Sequence, residues 1–289
     1  MFTIENYKLQ ITIAEKGAEL QSIFHKELQL EYMWNGDPSY WAKRSPVLFP
    51  IVGTLKMDSY EYGNHSFKLS RHGFAREMVF DIEKQQPDAI VFLLKSSPDT
   101  LKKFPFEFEF RIGYTLQENI LSTTYSIKNK TPGGMYFSVG GHPAFKIPLV
   151  EGTSYDDYYL EFDRRENLSR WPISKDGLIE KKSVPFLEGE QRLFLNKQLF
   201  SNDALVFKHP ASSIVSLKSD RTDHGLNFHI SGFPYLGIWA ARNADFVCIE
   251  PWCGIADSVD SDQQFIHKEG INKLAFDEIF NRTWSVEFF

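Results

Sequence analysis

Between Phe104 and Leu116 the chain alternates strictly. Phe104, Phe106, Phe108, Phe110, Ile112, Tyr114 and Leu116 occupy one set of positions; Pro105, Glu107, Glu109, Arg111, Gly113 and Thr115 occupy the other. A period of two with one apolar side predicts a long antiparallel strand with one buried face. Leu121, Thr123, Tyr125 and Ile127 repeat the pattern, and Gln117-Glu118-Asn119 between the two runs reads as a hairpin connection. Shorter apolar runs predict strands over Leu9–Ile13, Ala89–Leu94, Gly134–Val139, Tyr158–Phe162, Ala204–Phe207, Ser213–Lys218, Leu226–Ser231, Leu236–Ala241 and Phe246–Glu250. Turn chemistry separates several of them, as in Thr131-Pro132-Gly133-Gly134, Lys175-Asp176-Gly177 and Gly232-Phe233-Pro234. Helical stretches are short, Asp99–Phe104 and Ser39–Lys43 being the best, and strands do not alternate with long amphipathic helices, which argues against a doubly wound α/β sheet. No repeat, low-complexity segment or linker interrupts the chain. The expected fold is all-β, a large antiparallel β-sandwich in one domain spanning residues 1–289.

Composition narrows the partners. The net charge is −6, with acidic and basic residues interspersed, which argues against nucleic acid or an anionic membrane as the main partner. Twenty-six phenylalanines, twelve tyrosines and six tryptophans suit sheet packing and an aromatic-lined pocket. Two cysteines, Cys248 and Cys253, are too few for a disulfide scaffold and lack the second ligand pair of a structural zinc site. The N-terminal residues form neither a basic nor an apolar signal segment, and no apolar run has the length of a membrane span. A soluble, cytoplasmic protein is the expectation; the oligomeric state is not legible.

Five segments carry candidate chemistry. His142, in Gly140-Gly141-His142-Pro143, and Glu250, in Cys248-Ile249-Glu250-Pro251-Trp252, each close an apolar run beside a proline expected to stop the strand. An imidazole and a carboxylate can move one proton off and another onto a neutral substrate. A glutamate after four apolar residues needs partners or a raised pKa. Arg71-His72-Gly73-Phe74-Ala75-Arg76 offers arginines and a histidine to sugar hydroxyls or a phosphate. Asp203 precedes an apolar strand, and Arg44 precedes the proline-bracketed run Pro46–Pro50. Read singly, each has a plain structural alternative: a turn histidine, a rim glutamate, a surface aspartate, a solvated arginine.

In order and spacing, these segments resemble the aldose 1-epimerase (mutarotase) superfamily, most closely its LacX-like branch. The similarity runs through Lys16-Gly17-Ala18-Glu19-Leu20, Trp34-Asn35-Gly36-Asp37 with Trp41, the Arg71–Arg76 strip, Gly140-Gly141-His142-Pro143-Ala144-Phe145, Asn202-Asp203-Ala204-Leu205 and Ile249-Glu250-Pro251-Trp252. It implies a sandwich of galactose-mutarotase type with an open cleft, no metal and no organic cofactor. It further implies Glu250 as base, His142 as acid, and His72, Asp203 and Arg44 as substrate-binding residues, with Arg71 beside them. Trp34, Trp41, Trp239 and Trp252 are candidate faces for a sugar ring. The implied reaction takes a proton from the anomeric hydroxyl and gives one to the ring oxygen, and no covalent intermediate is needed. Three alternatives stand: a hexose-6-phosphate epimerase with Arg44, Arg71 and Arg76 as a phosphate clamp, a non-catalytic sugar-binding protein, and a glycosidase pairing Glu250 with Asp203.

Overall fold

The computed structural model describes residues 1–289 and is all-β. Its main sheet is antiparallel. One end runs from Val47–Leu48 through Val139–Gly141, Phe246–Cys253, Tyr235–Trp239 and Leu205–Lys208 to Tyr158–Arg170. The other half continues through Ile214–Ser219, Thr222–His229, Ile279–Phe288, Ile120–Asn129, Phe108–Gln117 and Ala89–Lys95 to Asp81–Gln86. The two halves face each other. Phe49, next to the strand that begins the order, packs its ring 4.6 Å from that of Phe110, near the far end. Trp284 donates from Nε1 to the Tyr125 hydroxyl at 2.9 Å inside the same core. A separate four-stranded sheet, formed by Phe2–Glu5, Leu9–Ile13, Leu20–His25 and Leu30–Glu31, adds Ile4, Ile11 and Ile23 to that core.

The alternation does most of this work. Phe108, Phe110, Ile112, Tyr114 and Leu116 are all buried, and the register across the hairpin ends at Gln117 opposite Ile120. The strand starts at Phe108 rather than Phe104. Pro105 has no N–H to offer a ladder, and the Phe104 N–H instead closes the preceding turn on the Thr100 carbonyl at 2.8 Å. Phe104 and Phe106 stay buried all the same. Of the two expected helices, the first is the short Pro98–Leu101 helix capped by Ser97. The second, Ser39–Lys43, does not form. Asp37 takes the Ser39 N–H on its side chain at 2.8 Å and the Trp41 N–H on its carbonyl at 2.9 Å, closing one turn that ends there.

The prolines behave differently from each other. At Pro143 the strand breaks as expected, between Val139–Gly141 and Ala144–Lys146. At Pro251 it does not; Phe246–Cys253 runs straight through. The Ile249 N–H points to the Pro143 carbonyl at 3.4 Å, so two residues on, Pro251 turns its nitrogen to that same interrupted neighbour. No donor is required there. No helix is long and apolar enough to cross a membrane.

Candidate functional site

Sheet register brings His142 and Glu250 together. Phe246–Cys253 pairs Trp252 with Gly140 and Cys248 with Ala144, and the register does not shift across the break. His142, in the gap, therefore stands opposite Glu250. On the other side of Phe246–Cys253, Gly237 is the partner of Glu250, and Val206 is the partner of Gly237. A row of four residues thus crosses four adjacent strands on one face. Glycine at 237 is required by space: a Cβ there would lie 2.5 Å from the Trp252 indole. The same holds at Gly140, where a Cβ would come within 2.6 Å of that ring from its other side. The two glycines let Trp252 lie flat beside the pair.

His142 Nε2 stands 3.2 Å from Glu250 Oε2, with 11% and 2% of the side chains exposed. Oε2 is otherwise without a hydrogen-bond partner. Aromatic rings enclose the imidazole. Trp41 lies 4.9 Å away at 31°, Trp239 5.5 Å away edge-on, and Trp41 stacks in turn on Phe246. Trp34, buried, does not reach the cavity; its Nε1 donates to the Trp41 carbonyl at 2.8 Å and fixes that residue. Burial pushes the Glu250 carboxyl well above the carboxylate range, with Arg71 opposing and Asp203 adding to the rise. Burial likewise drives His142 down to about 3, aided by Arg71 and Arg76. The one proton that the pair shares at neutral pH therefore sits on Glu250, with the imidazole neutral.

This burial has a stability signature. A carboxyl whose folded pKa lies above its unfolded value near 4.5 loses stability as pH rises from the unfolded value toward the folded one. Glutamine has no such loss. The Tm difference between Glu250→Gln and wild type is therefore expected to grow in favour of the variant from about pH 5 to about pH 8. Differential scanning calorimetry at both pH values checks it, and a difference independent of pH contradicts a protonated Glu250.

Loops complete the cavity. His72 takes a positive φ of 66° and is stitched to residue 53 twice: its N–H donates to the Gly53 carbonyl at 2.9 Å, and its Nδ1 accepts the Gly53 N–H at 3.0 Å. Burial holds this imidazole well below the usual histidine range, so it is neutral. With Nδ1 accepting, the proton is on Nε2. Arg71 Nε, 3.2 Å from Nε2, then faces another donor. Two donors side by side on the cavity wall suit an incoming oxygen atom. Asp203, also at positive φ, accepts the Ala204 N–H at 2.7 Å and lies 3.7 Å from Arg71 Nη2. Its free oxygen is an acceptor for a hydroxyl.

The cavity these residues line has a volume of about 510 Å³, the scale of a small-molecule site. His142, Glu250, His72, Asp203 and Arg71 all border it, as do Trp41, Trp239 and Trp252. Arg44 does not. Its guanidinium packs over Gly36 and donates to the Gln21 carbonyl, while its N–H is held by Glu19; the expected substrate contact is corrected on that ground. Two other arginines border the cavity, Arg76 and Arg242. Arg76 belongs to the strip around His72 that the sequence singles out. Arg242 sits after the Tyr235–Trp239 strand in a plain Ala-Ala-Arg-Asn turn, and only the strand order brings it to notice.

The chain is similar to known proteins over nearly all of its length. The family model described as aldose 1-epimerase matches residues 1–266. The chromosomal LacX protein of Lactococcus lactis is 34% identical over 280 residues, covering 94% of this chain and 93% of that one. Among solved structures, a galactose mutarotase related enzyme from Lactobacillus acidophilus is 36% identical with a TM-score of 0.93, covering 100% of this chain and 97% of that one. A galactose mutarotase-like protein from Lactobacillus casei is 34% identical with a TM-score of 0.94, each chain covered in full (100%).

Proposed function

The chain belongs to the aldose 1-epimerase family, and from that premise we propose that it interconverts the α and β anomers of an aldose, with Glu250 as base and His142 as acid. The observation that carries this is the 3.2 Å approach of His142 to Glu250 across the interrupted strand pair. Ring opening starts from the carboxylate–imidazolium form of the pair. Glu250 takes the proton of the anomeric hydroxyl and His142 gives one to the ring oxygen. The pair ends as carboxyl and neutral imidazole, the form that burial favours. Each turnover thus begins with the pair's proton moved from Glu250 to His142, a cost that the same shifts set and that ring opening recovers. Closure on the other face of the aldehyde reverses the transfers. His72, Arg71 and Asp203 serve as donors and acceptor for sugar hydroxyls, and Trp252 as an apolar wall. The partner beside Glu250 is an imidazole, which favours this reading over a two-carboxylate glycosidase.

Polarimetry on freshly dissolved pure anomers tests it. A rate no faster than that of buffer would leave a sugar-binding protein without catalysis.

A second reading is favoured by one observation: Arg71, Arg76 and Arg242 border the cavity of a chain whose net charge is −6. Asp203 and Glu250 are the acidic side chains that border it, and Glu250 holds its proton. Such a site favours a phosphorylated aldose. Its kcat/KM for glucose 6-phosphate is then expected to exceed that for glucose by about 10-fold or more, the worth of one charge-assisted contact. Parity between the two sugars contradicts the phosphate reading and leaves the epimerase reading standing.

A further inference from the structure

One buried group beside the proton-transfer pair has no part in the reaction: the Cys248 thiol. It follows from the strand geometry that Cys248 and Glu250, two residues apart on Phe246–Cys253, project to the same side, and His142 stands opposite Glu250. One ligand atom from each of His142, Cys248 and Glu250 lies within 4.8 Å of the others. We propose that these three residues form a binding site for Zn²⁺, with the fourth coordination position open to the cavity, and that zinc held there switches the epimerase off.

Three observations support the site. The set is an imidazole, a thiol and a carboxylate, the ligand types that borderline-soft Zn²⁺ takes, and three protein ligands with one open position is the arrangement of accessible zinc centres. The separation of His142 Nε2 and Glu250 Oε2, 3.2 Å, is close to the edge of about 3.3 Å of a tetrahedron drawn with bonds of about 2.05 Å. Glu250 Oε2 is buried with no hydrogen-bond partner, an oxygen left over to take a cation. Cys248 must approach further, by a side-chain rotation, to reach the thiolate bond of about 2.3 Å.

The charge balance is favourable. A thiolate and a carboxylate carry two negative charges and the imidazole none, which matches one Zn²⁺. Binding releases one proton from the thiol and one from the carboxyl to solvent, while the imidazole donates its lone pair. One Zn²⁺ replaces two protons, and the buried cluster stays uncharged. Zinc then occupies the carboxylate and the imidazole that the proposed reaction needs. The loss of activity rests on that reading; the metal site does not.

The test separates the two. Co²⁺ added to the purified protein is expected to give a thiolate-to-cobalt charge-transfer band and intense tetrahedral d–d absorption at one ion per chain. The band should be absent in Cys248→Ser and in Cys248→Ala, each first shown to be folded by circular dichroism. Polarimetry with added Zn²⁺ is expected to show at least a tenfold loss of wild-type rate, reversed by EDTA, and at least tenfold more zinc should be needed for the same fractional loss in either variant. No thiolate band in wild type, or equal zinc sensitivity in wild type and variants, overturns the proposal. Should the wild type show a cobalt band but no anomer interconversion, the site stands and the epimerase reading fails.

Discussion

Replacing Glu250 by glutamine is expected to slow anomer interconversion by about 10²–10⁴-fold, the usual worth of one general acid or base. His142→Ala is expected to fall in the same range. On the proposed reading the two residues pass protons to and from one sugar through one shared titration, so their losses should not multiply. The double variant should lie within about tenfold of the slower single one. Polarimetric rates of the four proteins decide it, with KM measured alongside to separate lost chemistry from lost binding. Near-wild-type rates in both single variants would remove the pair from the mechanism. Glutamine is the right probe at 250, because it keeps the shape of a side chain in a residue that is 1% exposed and removes only its proton chemistry.

The second large effect is in the pH profile. One proton on the pair is the working state, whichever residue holds it. An unburied histidine serving as the acid would lose its proton, and the rate with it, as pH rises through its ordinary value of about 6.5. Here burial lowers the imidazole to about 3 and leaves the working proton on Glu250, so kcat/KM is expected to stay level through the range where histidine enzymes normally change rate. On the alkaline side the rate should fall about tenfold per pH unit once the last proton leaves. That limb belongs to the carboxyl whose pKa burial has raised. An inflection near pH 6.5 in the free-enzyme profile, absent in His142→Ala, would show instead a solvated imidazole and contradict the aromatic enclosure by Trp41 and Trp239.

Much of this is readable from the chain, for identifiable reasons. The buried face of Phe108–Gln117 is written in its alternation, because side chains project to opposite sides of a strand whatever the rest of the molecule does. His142, Glu250, His72 and Asp203 stand in motifs with spacing, and the structure gathers all four around one cavity. What cannot be read is anything fixed by partners distant in the chain. The local pattern at Ser39–Lys43 suits a helix, and Asp37 starts its first turn, but the Glu19 carboxylate takes the Arg44 and Ser45 N–H groups and the Trp34 indole donates to the Trp41 carbonyl, so the turn does not continue. Arg44 has the right residue type near the right motif, yet the Gln21 carbonyl from another sheet claims its guanidinium. Arg242 has no motif at all. The opposition of His142 and Glu250 depends on a register held on both sides of a broken strand, which no local rule specifies.

That broken strand also separates what can change from what cannot. Inserting or deleting one residue between Gly140 and Ala144 would turn the imidazole to the opposite face of the sheet, since side chains alternate. Arg71, Arg76 and Arg242 lie outside the strands, where length and composition are free to drift. On the proposed reading the proton chemistry is thus locked to the lattice of the sheet, while the choice of sugar is left to loops. Descendants of this chain could exchange one sugar for another many times over and still inherit the same pair.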